Sequence, residues 1–299
     1  MSVAASIWGG MFVIVKIAIA VIPPVPLVWM RYLAAMLVLI SIGCQQGVSW
    51  KIRRRDWKLL FFIGLLGNTI SIVTQETGTM LSSAQMGSII TAATPAFMVI
   101  FAKLLLGESL TVPKVFSVVL ATIGVLLIVV DPENLQLGSV WGGFSLLVAA
   151  LTWAWMSVLL KRLPADYSPI VITTYAVLVA VVLLAPYACH WLAAADCGVL
   201  LQPYLGGCIL YLGAVSTAGA FILWNRGLQL MDASVGGLFF FFQPIVGTGL
   251  GWLLLGEAIT AYFWLGSLLI LIGVIMVVIK AAPTGIGEKH LGSEQLHNG

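Results

Sequence analysis

Three ionisable residues, Lys16, Arg31 and Glu76, lie inside long apolar runs of the sequence. An ionised side chain costs at least about 2.5–3.5 kcal/mol at the centre of a bilayer, so such residues need a partner or a function. A carboxylate near a guanidinium and an ammonium group can bind a zwitterion or release a proton when a solute displaces its partners. We predict that Lys16 and Arg31 bind substrate and that Glu76 couples a proton. The alternative is that the bases snorkel to the interface and Glu76 lies at the surface.

A second group of candidates is aromatic, amide or thioether in type. Aromatic rings can wall a cavity and hold an ammonium group by cation–π contact. Gln243 precedes Pro244, and a proline frees a backbone carbonyl one turn earlier that a ligand or water can use. The alternative is packing or an interfacial aromatic belt. The substrate-binding candidates of this group are Trp8, Met11, Tyr32, Trp153, Tyr175, Trp224, Asn225 and Gln243.

The composition of the chain predicts that these residues lie on membrane-spanning helices. The chain has 299 residues, of which 61% are hydrophobic and 8% are charged, and its mean hydropathy is +1.10. Soluble domains contain about 25% charged residues, so most of this chain must be dissolved in lipid. A span needs roughly 20 apolar residues, and a helix pairs all its backbone groups internally. The fold class is therefore an all-α polytopic membrane protein with ten spans, at about 2–21, 27–43, 58–76, 83–104, 113–130, 139–160, 168–189, 203–224, 233–254 and 261–280.

The distribution of charge predicts the orientation. Lysine and arginine outside the spans occur only on even-numbered connections and the C-terminal tail, with a dense run at 51–58. The odd-numbered connections carry Asp131, Glu133, Asp196 and Glu257 instead. Since basic residues mark the cytoplasmic side, both termini are predicted to be cytoplasmic, in a cell membrane. The basic residues line one membrane face and form no groove, so the partners predicted are lipid and a small solute, with no nucleic acid.

An eight-residue phrase occurs twice: LLLGESLT at 104–111 and LLLGEAIT at 253–260. The shift of 149 also aligns Gly64 with Gly213 and Pro95 with Pro244, and a shift of 145 aligns Lys16 with Lys161. The unit has five helices, an odd number, so two copies in series must be inverted. Inverted repeats are a common transporter plan with the solute at the midplane. The predicted organisation is a first repeat over 1–130, a second over 139–280 and a disordered cytoplasmic tail over 281–299.

The glutamates of the two phrases, Glu108 and Glu257, invite a catalytic or coupling role. Each follows a glycine at a helix end, so we favour a structural turn, with Thr111 and Thr260 capping the following helices. Cys189 and Cys197 flank an outer connection where a disulfide can form, although buried thiols are the alternative. The three histidines lack metal-ligand spacing, so neither a metal nor a cofactor is expected.

The pattern W-G-G-x-F-x-x-x-K from Trp8 to Lys16, an early Arg-aromatic pair in the second helix, and a proline before L-G-E in the fourth resemble the EamA-like carriers of the drug/metabolite transporter superfamily. The resemblance covers about 5–280 and implies a ten-helix fold and export of small metabolites, commonly amino acids. The sequence thus predicts a secondary transporter with alternating access, possible proton coupling and no enzyme motif. The alternatives are efflux of lipophilic cations, a channel or facilitator, and a non-transporting scaffold.

Overall fold

The structure, a computed structural model, describes residues 1–109, 111–129, 137–196, 198, 202–257 and 260–281. Within these ranges it contains helices and turns and no strand, so the predicted all-α class is confirmed there. The helices are α1 (Ser2–Ala18), α2 (Pro24–Gln45), α3 (Arg54–Leu81), α4 (Ala84–Leu106), α5 (Val112–Val129), α6 (Leu137–Leu160), α7 (Pro169–Ala194), α8 (Pro203–Leu230), α9 (Ala233–Leu255) and α10 (Ala261–Ala281).

Seven of the described helices are long and apolar enough to cross a membrane: α2, α3, α4, α6, α7, α8 and α9. The other three are apolar but present shorter stretches, Ser2–Ala18, Val115–Gly124 and Ala261–Gly273. Each predicted span overlaps one of these helices, and the structure establishes a multi-pass membrane protein. That all ten helices cross the bilayer remains a prediction. Asp131, Glu133, Cys197 and the tail beyond Ala281 lie outside the described residues, so the predictions for them are untested.

Two helices contain a wider π-helical stretch at related positions. In α3 it covers Gly64–Ser71, and in α8 it covers Tyr211–Gly219. Within each stretch a threonine hydroxyl donates to the carbonyl five residues earlier, from Thr69 to Gly64 at 3.1 Å and from Thr217 to Leu212 at 2.7 Å. Such bulges often occur at functional sites, because they reorient side chains along a helix.

Glycines allow the same two stretches to approach neighbouring helices closely. A Cβ on Gly64 would lie 2.7 Å from the Ala176 carbonyl oxygen of α7, and a Cβ on Gly213 would lie 2.6 Å from the Arg31 carbonyl oxygen of α2. No side chain fits at either position. Helix α3 therefore packs on α7 as α8 packs on α2, while α2 contacts α7 and α5 contacts α10.

The repeated phrase ends α4 and α9 with the same turn. Gly107 and Gly256 have φ of +71° and +66°, the left-handed conformation that glycine adopts without strain. The following backbone N–H donates back into the helix, from Glu108 to Ala102 at 3.2 Å and from Glu257 to Gly251 at 3.3 Å. The predicted structural turn is confirmed. Thr260 accepts a hydrogen bond from the Phe263 N–H at 3.1 Å and caps α10, whereas a cap by Thr111 stays a prediction.

Candidate functional site

An aromatic cluster is buried between α1, α6, α8 and α9 and is built around the ring of Trp8 in α1. That ring lies 5.3 Å from the ring of Trp153 in α6 and 5.2 Å from that of Trp224 in α8. Phe221 and Phe240 complete the cluster, each 5.7 Å from Trp8. All five side chains are buried, which offset and edge-to-face ring contacts stabilise beyond their apolar area.

A small cavity adjoins these rings. Its volume is about 20 Å³, enough for about one water molecule and too small for a metabolite. The structure therefore shows this site without room for a solute. Predicted residues Trp8, Met11, Trp153 and Gln243 line the cavity. The full lining is Trp8, Met11, Ile72, Gln75, Thr91, Thr94, Ala149, Ala150, Trp153, Phe221, Phe240 and Gln243.

Two hydrogen-bond donors of this lining have no partner among the described residues: Gln75 Nε2 and Trp153 Nε1. An unpaired buried donor costs about 1–3 kcal/mol, so such atoms are expected where a ligand or water supplies an acceptor. The neighbouring polar groups are already paired. Thr91 Oγ1 donates to Gln243 Oε1 at 3.2 Å, and Trp8 Nε1 donates to the Ser216 carbonyl at 2.9 Å.

Arg31 and Glu76 form an ion pair that is wholly inaccessible to solvent, with 2.7 Å between Nη1 and Oε1. The guanidinium also donates from Nε to Thr217 Oγ1 at 3.1 Å and from Nη2 to Ser216 Oγ at 3.2 Å. Met11 Sδ lies 3.2 Å from Nη2 and joins this pair to the cavity wall. Glu76 Oε2 has no partner in the described part of the chain. The predicted proximity of Arg31 and Glu76 is confirmed, and the alternative of a surface Glu76 is wrong.

Lys16 does not join that pair in the structure. Its ammonium group donates to the carbonyl oxygens of Thr79, at 2.9 Å, and Met80, at 3.2 Å, at the end of α3, and to that of Ser82 just beyond. Lys161 makes the same contact with the end of α8, at 2.9 Å to Leu228 and 2.8 Å to Met231. Cations at helix C-termini satisfy orphan carbonyls, which gives Lys16 a structural role where it stands.

Four other candidates lie at helix contacts outside the cavity lining. Tyr32 donates to the Asn68 carbonyl at 2.8 Å, and Tyr175 donates to the Trp50 carbonyl at 2.9 Å. Asn225 Nδ2 donates to Thr173 Oγ1 at 2.8 Å. Trp224 is fully buried and packs on Trp8 and Phe240. Binding of substrate by these residues stays a prediction.

The sequence-based prediction missed several lining residues: Ile72, Gln75, Thr91, Thr94, Ala149, Ala150, Phe221 and Phe240. A signal existed for two of them. Thr94 precedes Pro95 as Gln243 precedes Pro244, and Gln75 precedes the intramembrane Glu76. The alanines and phenylalanines have no such mark, since they resemble every other apolar residue of a membrane span.

Fold and site together define a multi-pass membrane protein with a buried, aromatic site whose lining residues are uncharged. The EamA-like transporter family model matches residues 1–130 and again 140–279. The chain belongs to this family, whose members are transporters and not enzymes. Among the described residues no group of three or more His, Cys, Asp or Glu side chains is placed to hold a metal ion.

Relatives agree with this assignment. An uncharacterized transporter of Archaeoglobus fulgidus is 25% identical over 281 residues, 94% of this chain and 98% of its own. The permease-like protein YdzE of Bacillus subtilis is 70% identical over 69 residues, 23% of this chain and 88% of its own. A probable amino-acid metabolite efflux pump of Escherichia coli is 22% identical over 285 residues, 89% of each chain. A chain of known crystal structure has the same fold, with a TM-score of 0.72, 21% identity and coverage of 93% and 95%.

Proposed function

We propose that the chain is a secondary transporter that exports amino acids or similar polar solutes across the cell membrane by alternating access between two inverted five-helix repeats. The observation that carries this proposal is the aromatic cavity, because its wall takes Trp8 and Gln75 from the predicted first repeat and Trp153 and Gln243 from the second. A site shared between repeats opens to either face when the repeats exchange shapes.

The equivalence of many contacts supports the repeats. Lys16 and Lys161, related by the shift of 145, each bind the carbonyl oxygens at the end of a helix two further along the chain. Gly64 and Gly213, related by the shift of 149, each permit a close helix contact. In each case the partner is the equivalent helix. The basic connections support the part of the proposal that puts both termini on the cytoplasmic side.

The cavity lining supports one class of solute. It offers two unpaired N–H donors and aromatic walls, and its lining residues carry no charge. A solute with a carboxylate or carbonyl acceptor and an apolar body fits that set, as in a neutral amino acid. Efflux of lipophilic cations receives less support, because these residues include no carboxylate. An open channel receives less support because the cavity has no room for a solute.

Proton coupling belongs to the same proposal. Among the described residues Glu76 Oε2 has no partner while Oε1 accepts from Arg31, so Oε2 is the atom that would take up a proton. Protonation would weaken the ion pair and release Arg31, whose Nη2 contacts the cavity residue Met11. The charge state of Glu76 would then be transmitted to the solute site.

The test is counterflow of labelled solutes in proteoliposomes, with and without a pH gradient. We expect saturable counterflow of neutral amino acids that Trp153→Ala reduces at least about tenfold, since the variant removes a cavity wall and a donor. The matched control is Trp155→Ala on the same helix, because Trp155 is 39% exposed and stacks on Phe101. Flux that never saturates would indicate a channel. Absence of flux for every solute class, with normal membrane insertion, would remove the proposal.

A further inference from the structure

The repeated phrase does more than end two helices, since each of its glutamates reaches the counterpart helix. At the end of α9, Glu257 Oε1 accepts from the Ala84 N–H at 2.8 Å and Oε2 accepts from the Gln85 N–H at 2.9 Å. Gln85 Nε2 donates in turn to the Glu257 carbonyl at 3.2 Å. These are the first residues of α4, whose orphan N–H groups and dipole favour a carboxylate.

The other glutamate makes the reciprocal contact. At the end of α4, Glu108 Oε2 accepts from Ser234 Oγ at 2.6 Å, at the start of α9. The shift of 149 places Ala84 and Gln85 on Ala233 and Ser234, and Glu108 on Glu257. The two contacts are therefore equivalent. Each glutamate follows the end of one helix and binds the first residues of the other helix.

The glycine turns at the ends of α4 and α9 set the direction of these carboxylates. The left-handed glycine turns the chain back at each helix end, so the next side chain leaves its own helix axis. Gly251 leaves space for the second carboxylate, since a Cβ there would lie 2.8 Å from Glu257 Oε2. Lys16 lies close enough to Glu257 for electrostatic attraction, so its positive charge favours the carboxylate at the end of α9.

The two contacts stand at opposite ends of the α4–α9 pair. With 23 residues in α4 and a rise of about 1.5 Å per residue, they are about 35 Å apart. Between them lie Thr91, Thr94 and Gln243 of the cavity wall. Both contacts are formed in this structure, and the cavity has no room for a solute. Opening the cavity toward one face separates α4 from α9 at that face and breaks only the contact located there.

We propose that Glu108 and Glu257 hold the cavity shut at opposite faces of the membrane during the transport cycle. The contact of Glu257 with Ala84 and Gln85, and that of Glu108 with Ser234, are called the two latches. The proposal rests on the proposed function for its meaning, but the positions of the gates can be measured without transport. The state open at one face keeps only the latch of the other face. Loss of a latch therefore destabilises the state that is open at the opposite face and shifts the population toward the state open at its own face.

The experiment reports gate opening by cysteine labelling in a chain whose four native cysteines are replaced by serine. Ser88→Cys reports the face where α4 begins, and Ala102→Cys reports the face where α4 ends, since both positions are fully buried. A membrane-impermeant maleimide is applied to vesicles of each orientation. We expect Glu257→Gln to raise labelling at position 88 about tenfold and to lower it at position 102, and Glu108→Gln to do the reverse.

The control is Asp232→Asn, which removes an exposed carboxylate beside Ser234 and is expected to leave both labelling rates unchanged. Faster labelling at both positions in either variant would show general loosening of the bundle and overturn the proposal, as would unchanged labelling. Counterflow is measured on the same preparations. Opposite labelling shifts without any flux would retain the latches and reject transport, whereas intact counterflow with unshifted labelling would reject the latches alone.

Discussion

The contact between α2 and α3 differs in chemistry from the equivalent contact between α7 and α8. The first holds the buried ion pair of Arg31 and Glu76, and the second holds a neutral hydrogen bond from Asn225 to Thr173 at 2.8 Å. Glu76 and Asn225 are related by the shift of 149. Because α7 and α8 pack together with only an amide–hydroxyl pair at this position, packing of α2 against α3 does not by itself require an ion pair.

Other contacts between the helices, by contrast, are the same in the two halves of the chain. The lysine contacts with helix ends, the left-handed glycines and the π-helical stretches all occur twice. Features that occur twice are expected to serve the architecture, which both predicted repeats would need. A feature that occurs once, such as the Arg31–Glu76 pair, is the better candidate for recognition or coupling, and the predictions below separate the two kinds.

The largest expected difference concerns the two pairs themselves. Glu76→Ala leaves a buried guanidinium without its countercharge and should lower the free energy of unfolding by about 3–5 kcal/mol. Asn225→Ala removes one neutral hydrogen bond and should cost about 1 kcal/mol. Thermal unfolding of the purified protein in detergent measures both. Equal losses would mean that the ion pair is not the special element of the first repeat.

A double variant tests what the ion pair does beyond stability. Arg31→Met with Glu76→Leu removes both charges and keeps side chains of similar length, so much of the stability lost in Glu76→Ala should return. Accumulation driven by a pH gradient should be lost while counterflow persists. A double variant that still accumulates solute with the pH gradient would show that the proton is carried elsewhere.

An intermediate effect is expected for the two central tryptophans. Trp8→Phe and Trp153→Phe shorten the ring equally, but within the described part of the chain the N–H of Trp8 has a partner, the Ser216 carbonyl, and that of Trp153 has none. Trp8→Phe should therefore cost about 1–3 kcal/mol more in unfolding free energy. Trp153→Phe should instead raise KM for solutes that present an acceptor. Equal KM values for the two variants would argue that Trp153 Nε1 never meets solute.

The sequence predicts the all-helical class well, because that class depends on apolar runs spread over many residues, whereas the arrangement in two repeats stays a prediction. A similar depth in the membrane lets Lys16, Arg31 and Glu76 cluster, and the structure brings together two of these three, Arg31 and Glu76. The prediction of a cluster fails for Lys16, whose partners are backbone carbonyls that no sequence pattern displays. The reach of Glu108 and Glu257 across the α4–α9 pair was also missed, because the glycine turns show where the helices end and not where the carboxylates point.

The smallest effect tests whether Lys16 is scaffold or site. Lys16→Met and Lys161→Met each remove a cation from helix-end carbonyls and keep the apolar stem, so each should cost about 1 kcal/mol in thermal unfolding. Equivalent contacts predict equal losses and similar, modest changes in counterflow. If Lys16→Met abolished counterflow while Lys161→Met preserved it, Lys16 would have to leave the Thr79 and Met80 carbonyls during the cycle and bind solute, as its intramembrane charge first suggested.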